Sequence, residues 1–167
     1  MTITVEQIKA LRELTGAGIM DCKRALEQAG GDLEGAQRVL REMGVASAAK
    51  KASRETNEGL VESYIHSGGR IGALVELNCE TDFVARTDDL KDLAHNIAMQ
   101  VAAMSPIYVD EGDIPDDDDQ NPQEVCLLQQ AFIRDQSITI QDLLGEAIGK
   151  IGENIRVRRF ARFALGE

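Results

Sequence analysis

The hydrophobic pattern of this chain changes its period near residue 59, and this change restricts the fold more than any other feature. Up to about residue 45, apolar residues recur every three or four positions, as in "TVEQIKALREL" and "LEGAQRVLREM", which predicts amphipathic helices. From residue 59, two apolar runs flank a glycine pair in "LVESYIHSGGRIGALVEL", which is typical of a β-hairpin. Helices followed by mixed strands and helices predict an α+β protein rather than a wound parallel sheet.

Glycine-containing breaks divide the first 45 residues into three short helices. "TGAG" separates the first helix from the second, "GGD" separates the second from the third, and Gly44 follows the third. We therefore expect a compact three-helix domain over residues 1–45. The polar stretch 46–58 is predicted to be a helical linker, with Gly59 at its end, and residues 59–167 to form the second domain.

The second domain is expected to be a small antiparallel sheet of three or four strands packed by helices. Its hairpin turns at Gly68 and Gly69, and an amphipathic helix follows Thr87 and ends before Pro106. Residues 107–109 are expected to form a short edge strand. A later helix begins near Ser137 or Thr139, and "NIRVRRFARFALG" is the last strand.

The stretch "NCETDFVAR" (78–86) joins the second hairpin strand to the next helix. Thr81 is a suitable N-cap for a short helical turn that carries Asp82 and Phe83. Two arrangements remain open for these neighbours, which point about 100° apart on a helix. Either Phe83 packs into the core while Asp82 stabilises the helix start, or both side chains project into solvent.

The sequence contains no pattern that predicts catalysis. Neither histidine lies in a pattern that suggests a nucleophile pair, and "GEAIGK" is one residue short of a phosphate loop. The acidic run before residue 120 lacks the spacing of a calcium loop, and the three cysteines lack metal-ligand spacing. We therefore expect that this chain is not an enzyme and that it has no cofactor and no metal site.

Charge and composition restrict the partners and the compartment. The net charge of −11 disfavours direct nucleic-acid binding. The basic cluster near the end is predicted to place Arg156, Arg158 and Arg162 on one strand face, which is either a solvated face or an RNA contact. No apolar run approaches the length of a membrane span, the N-terminus does not resemble a signal peptide, and reduced cysteines favour a cytoplasmic protein.

Three motifs together resemble the elongation factor Ts family. They are "ELTGAGIMDCKRALEQAGGD" (13–32), "NCETDFVAR" (78–86) and "GENIRVRRFARF" (152–163), and the resemblance covers residues 1 to about 110 and 124–167. It implies a bundle like a ubiquitin-associated (UBA) domain, followed by an α+β core. The implied function is guanine-nucleotide exchange on the GTPase elongation factor Tu, from which GDP is released.

The resemblance also implies two sets of partner-binding residues. The first set enters the GTPase domain, where its aromatic ring leads to displacement of magnesium; it comprises Thr81, Asp82, Phe83 and Val84. The second set lies on the N-terminal bundle and comprises Ile19, Met20 and Lys23.

The chain departs from the family pattern around residues 112–123, where a longer segment is shortened to an acidic stretch. It resembles the short, single-core form, for which a homodimer is a further expectation. An alternative from another class is a ubiquitin-like or peptide-binding adaptor that uses the N-terminal bundle.

Overall fold

The computed structural model describes residues 3–167, and within this range three helices precede a mixture of strands and helices, as predicted. The helices are α1 (Val5–Thr15), α2 (Ile19–Gln28), α3 (Leu33–Lys51), α4 (Asp82–Ala85), α5 (Asp88–Met104), α6 (Pro122–Val125) and α7 (Ile140–Ile151). The strands are β1 (Glu58–Ile65), β2 (Ile71–Cys79), β3 (Ala131–Phe132), β4 (Asp135–Thr139) and β5 (Ile155–Ala164). The α+β class and its N-terminal helical region are thus confirmed.

The N-terminal helices begin and end where local chemistry predicts. Thr4 caps α1 through a reciprocal capping box with Gln7, and Asp32 caps α3 by accepting from the Gly35 N–H. A small core lies between the three helices; its fully buried members are Leu11, Cys22, Ala25, Leu26 and Ala36.

Helix α3 continues past Gly44, where the sequence predicted its end. It runs to Lys51, because the backbone of α7 packs against Gly44 and this tertiary contact outweighs the low helix propensity of glycine. The stretch 46–58, predicted to be helical, is helical only as far as Lys51, and strand β1 begins at Glu58. Because α3 crosses residue 45, the division into domains 1–45, 46–58 and 59–167 stays a prediction.

The main sheet has the strand order β1-β2-β5, and both pairings are antiparallel. Gly68 and Gly69 turn the hairpin with positive φ values of 91° and 69°, as predicted. Helix α5 contacts both hairpin strands, and the shared core includes Val75, Leu77 and Ile97. Strands β3 and β4 form a separate pair.

Two details of the second part differ from expectation. Residues 107–109 do not form an edge strand; Tyr108 makes one isolated parallel bridge with Cys126. In β5, Leu77 pairs with Val157 but Glu76 pairs with Arg159, so Arg158 is an additional residue in a β-bulge. The bulge reverses the alternation beyond it, and Arg162 therefore does not share a face with Arg156.

Helix α7 begins after Thr139, one of the two predicted positions, where a capping box with Asp142 closes the first turn. Among residues 3–167, no helix combines the length and apolar character that crossing a membrane requires.

Candidate functional site: a braced turn that exposes Phe83

Helix α4 is a single turn placed directly after the central strand of the sheet. Thr81 is its N-cap, as predicted, and its Oγ1 accepts a hydrogen bond from the Val84 N–H at 3.3 Å. Val84 and Ala85 are buried in the core. Thr87 then caps α5 and donates from Oγ1 to the Val84 carbonyl at 2.7 Å. The turn is therefore anchored by hydrogen bonds at both ends and by the burial of Val84 and Ala85 in the core.

Phe83 faces solvent from the outer side of this turn. It is 81% exposed, the highest value among the large apolar residues in the described range. Asp82 is also exposed, and its carboxylate lies 2.6 Å from the guanidinium of Arg86. Of the two arrangements that the sequence left open, the structure has the one in which both side chains project. The exposed ring therefore adds little of the ~2 kcal/mol that burial of a phenylalanine contributes to the free energy of unfolding.

Glu153 braces the turn from the loop between α7 and β5. Its Oε2 accepts from the backbone N–H groups of Glu80 and Thr81, both at 3.1 Å. Its Oε1 accepts from the Thr81 hydroxyl at 2.6 Å. Sequence reasoning missed this residue, although it lies in "GENIRVRRFARF", one of the three motifs. The available signal was an acidic residue directly after the glycine that ends α7.

Glu80 makes the reciprocal connection. Its carboxylate accepts from the Asn154 backbone N–H at 2.6 Å and from Arg54 at 3.3 Å. The buried Asn154 side chain donates to the Arg54 carbonyl at 2.9 Å. The Asn154 N–H, assisted by Arg54, holds the pKa of Glu80 below its ordinary value. The segment before α4 and the loop before β5 are therefore joined by two carboxylates, Glu80 from the first and Glu153 from the second.

Cys79 ends β2 beneath the turn. Burial raises the pKa of its thiol to about 11, so the group is protonated at neutral pH. The thiol donates to the Thr81 carbonyl at 3.2 Å. Cys79 therefore contributes to the packing and hydrogen bonding of the turn and is not a reactive thiolate.

The second predicted set lies on the first turns of α2. Ile19 and Met20 are exposed, and the Lys23 ammonium lies 3.8 Å from the Glu27 carboxylate. Gly18 precedes the helix as its N-cap. These residues therefore form an apolar surface with a positive charge beside it, on a different part of the chain from the Phe83 turn.

The arginines of β5 do not form one basic strip. Glu76 binds Arg159 at 2.7 Å and lies 3.7 Å from Arg158. Arg162 is turned inward, and its Nε donates to the Ala102 carbonyl at 3.0 Å. Two arginines of the cluster are thus engaged with one acid, and a third binds the backbone of α5.

The uncovered face of the sheet has an apolar end that sequence reasoning did not single out. Its exposed large side chains are Val61, Ile65, Leu74, Phe163 and Leu165. Phe163 pairs with Gly72, which pairs with Ile65, so these side chains lie across neighbouring strands. A solvated sheet face is normally polar. Strict alternation along β5 would have placed Phe163 on the same face as the buried Val157, so the bulge at Arg158 hid this surface from sequence reasoning. Within residues 3–167, no group of three His, Cys, Asp or Glu side chains could hold a metal ion.

Comparison with known proteins identifies the family of this chain. A model of the family "Elongation factor TS" matches residues 36–123. The chain is 52% identical to "Elongation factor Ts" of Carboxydothermus hydrogenoformans, over 99% of this chain and 90% of the relative. It is 49% identical to "Elongation factor Ts" of Fervidobacterium nodosum over the full length of both. The corresponding protein of Thermotoga petrophila is 48% identical over 100% of this chain and 98% of the relative.

These findings place the chain among the translation elongation factors. Within that class, it belongs to the elongation factor Ts family. The alignments with the C. hydrogenoformans and T. petrophila proteins span 195 positions each, whereas this chain has 167 residues. The relatives therefore carry additional residues inside the matched range, and the family match ends at residue 123, where the predicted short segment also ends.

Proposed function

We propose that this chain is a guanine-nucleotide exchange factor that binds elongation factor Tu in its GDP-bound form and promotes release of GDP. The observation that carries the proposal is the exposure of Phe83 on a turn that hydrogen bonds hold in place. An exposed aromatic ring that is ordered before binding loses little conformational entropy on burial, which is the property of an interface anchor.

The physical basis of exchange is linkage between two binding events. A GTPase holds its nucleotide largely through magnesium and phosphate contacts. A partner that binds the nucleotide-free state more tightly than the loaded state must weaken nucleotide binding by the same factor. Insertion of the Phe83 ring between packed elements of the GTPase, with displacement of its magnesium, would produce that difference.

The four residues of the turn divide into two roles under this proposal. Asp82 and Phe83 face outward and meet the partner. Thr81 and Val84 act from behind, since Thr81 caps the turn and binds Glu153 while Val84 is buried in the core. Ile19, Met20 and Lys23 form the second contact, in which an apolar patch is flanked by a positive charge.

The exchange reaction makes and breaks no covalent bond in this chain. The proposal therefore includes no catalytic residue, no cofactor and no direct nucleic-acid contact, and it places the protein in the cytoplasm with the translation machinery. The magnesium ion concerned belongs to the partner.

We also propose that the uncovered sheet face joins two copies of this chain. The exposed side chains Ile65, Leu74 and Phe163 lie at one end of the face, while the Glu76–Arg159 ion pair lies toward the other. An isologous contact buries the same patch on both copies, so one apolar face suffices for both sides of the interface.

A stopped-flow measurement of labelled GDP release from elongation factor Tu tests the proposal. We expect release to accelerate with increasing concentration of this chain, and an unchanged release rate at saturating chain would refute it. The adaptor alternative predicts a different result in a pull-down, namely recovery of peptides through the bundle of residues 1–45 without recovery of a GTPase.

A further inference from the structure

Helix α3 belongs to both hydrophobic cores of the molecule. Its first half packs in the bundle core through Ala36, Val39 and Leu40. Its second half packs against the larger core through Ala48. One continuous helix therefore connects the surface that carries Met20 to the domain that carries Phe83.

Helix α3 meets α7 at a distance that only glycine permits. A Cβ atom added at Gly44 would lie 2.8 Å from the carbonyl oxygen and 3.0 Å from the carbonyl carbon of Gly145. These are backbone atoms, which cannot rotate away as a side chain can. A Cβ at Gly145 would lie 3.3 Å from the Val45 nitrogen, whereas one at Gly149 would be at an ordinary 3.4 Å from the Gly44 Cα.

One polar contact joins the same pair of helices, and a second joins α7 to α5. Arg41 of α3 donates from Nε to the Glu146 carboxylate of α7 at 3.0 Å. Lys150, also on α7, extends over the α1–α2 loop, where a Cβ added at Gly16 would lie 3.0 Å from its Cε. The Lys150 ammonium binds Asp89 at the start of α5, also at 3.0 Å. Lys150 therefore lies between the loop that precedes Ile19 and the helix that follows the Phe83 turn.

We propose that the α3–α7 contact, closed by Gly44 against Gly145, fixes the bundle relative to the core so that Met20 and Phe83 engage the GTPase as one rigid surface. Gly44 is thus a positioning residue for exchange. The inference rests on the proposed function. Two contacts held at a fixed separation bind almost as one event, because the second contact then has a high effective concentration. Two contacts on a loose joint lose that advantage.

The test compares variants of Gly44 with matched controls in the full-length chain. Gly44→Leu introduces a good helix former into α3 but forces α7 away from it. Gly44→Ala should displace α7 to a smaller extent. Glu42→Leu adds the same side chain to an exposed position of α3, and Gly149→Ala adds a methyl group where the space is ordinary. Circular dichroism and thermal unfolding establish that each variant is folded.

Exchange kinetics distinguish positioning from general stability. We expect Gly44→Leu to slow catalysed GDP release about tenfold, in the usual range of coupling between two sites, with both controls unchanged. Met20→Ala should slow release in the parental chain but have less than a twofold effect in Gly44→Leu, while Phe83→Ala keeps its full effect. Equal costs of Met20→Ala in the two backgrounds would overturn the proposal.

A distance measurement in the free protein tests the joint without the partner. Spin labels on cysteines introduced at Glu13 and Asp92 should give one narrow distance distribution in the parental chain and a shifted or broader one in Gly44→Leu. If Gly44→Leu does not fold, Gly44→Ala should show a smaller change of the same kind. A broad parental distribution, or an unchanged one in every folded Gly44 variant, would overturn the inference. Failure of the parental chain to accelerate GDP release would refute the exchange function instead, and the label distances would still decide whether the joint is rigid.

Discussion

Glu153 holds Thr81 through both its backbone N–H and its hydroxyl, at 3.1 and 2.6 Å. The two residues lie 72 positions apart in the chain. The carboxylate thereby satisfies donors that a strand end and a helix start would otherwise leave to water. This contact is one of those that hold the Phe83 turn, on which the proposed exchange function depends.

Replacement of Glu153 by glutamine should loosen the turn without removing the exposed ring. The amide retains one accepting oxygen, but its NH2 group cannot accept, so at least one of the three donors loses its partner. We expect catalysed GDP release to slow roughly threefold to tenfold, in keeping with a lost hydrogen bond worth about 1 kcal/mol. Hydrogen exchange at the Glu80 and Thr81 amides should accelerate in parallel. Glu13→Gln is the control, and full amide protection in Glu153→Gln would contradict this account.

Phe83→Ala should leave the fold intact and impair exchange. Since the ring is 81% exposed, its removal deletes almost no internal packing, and the melting temperature should stay within about 1 °C of the parental value. Loss of an interface anchor worth 2 kcal/mol or more slows GDP release by one to two orders of magnitude. Met104→Ala, which truncates an exposed apolar side chain at the end of α5, should have no effect. Parental rates in folded Phe83→Ala would refute the assigned role of the ring.

The connection through Glu80 should make stability depend on pH in the acid range. The pKa of Glu80 in the folded chain lies below its ordinary value of 4.5, first because of the Asn154 N–H. The contribution of Glu80 is therefore complete above about pH 4.5 and is lost as the pH falls through the lower folded pKa. Thermal unfolding between pH 3 and about 6 should show a shallower acid decline in Glu80→Gln than in the parental chain. Identical slopes would exclude a contribution from this carboxylate.

The apolar end of the sheet face should control self-association. Ile65→Lys and Phe163→Lys each place a charge in the proposed contact, and we expect either to weaken the dimer at least tenfold, about 1.4 kcal/mol or more. Sedimentation equilibrium over a range of concentrations measures this effect. Met104→Lys provides a charge change away from the face and should leave association unchanged. A parental chain that stays monomeric at every concentration would contradict the dimer.

Local chemistry made much of the architecture predictable. The hairpin at Gly68 and Gly69 and the caps at Thr81, Thr87 and Thr139 could be predicted because a turn or a cap depends on a few consecutive residues. The change of hydrophobic period predicted the α+β class for the same reason. The three motifs indicated the elongation factor Ts family, which the comparisons then confirmed.

Contacts between distant segments determined the remainder. Gly44 continues α3 because α7 packs against it, the bulge at Arg158 reorients Arg162 within β5, and Glu153 reaches Thr81 from another loop. The residue pattern left the direction of the Phe83 side chain open, since a phenylalanine on a capped turn can pack into the core or project into solvent. Its exposure follows from the placement of Val84 and Ala85, which take the core-facing side of the single turn and leave the outer side to the ring.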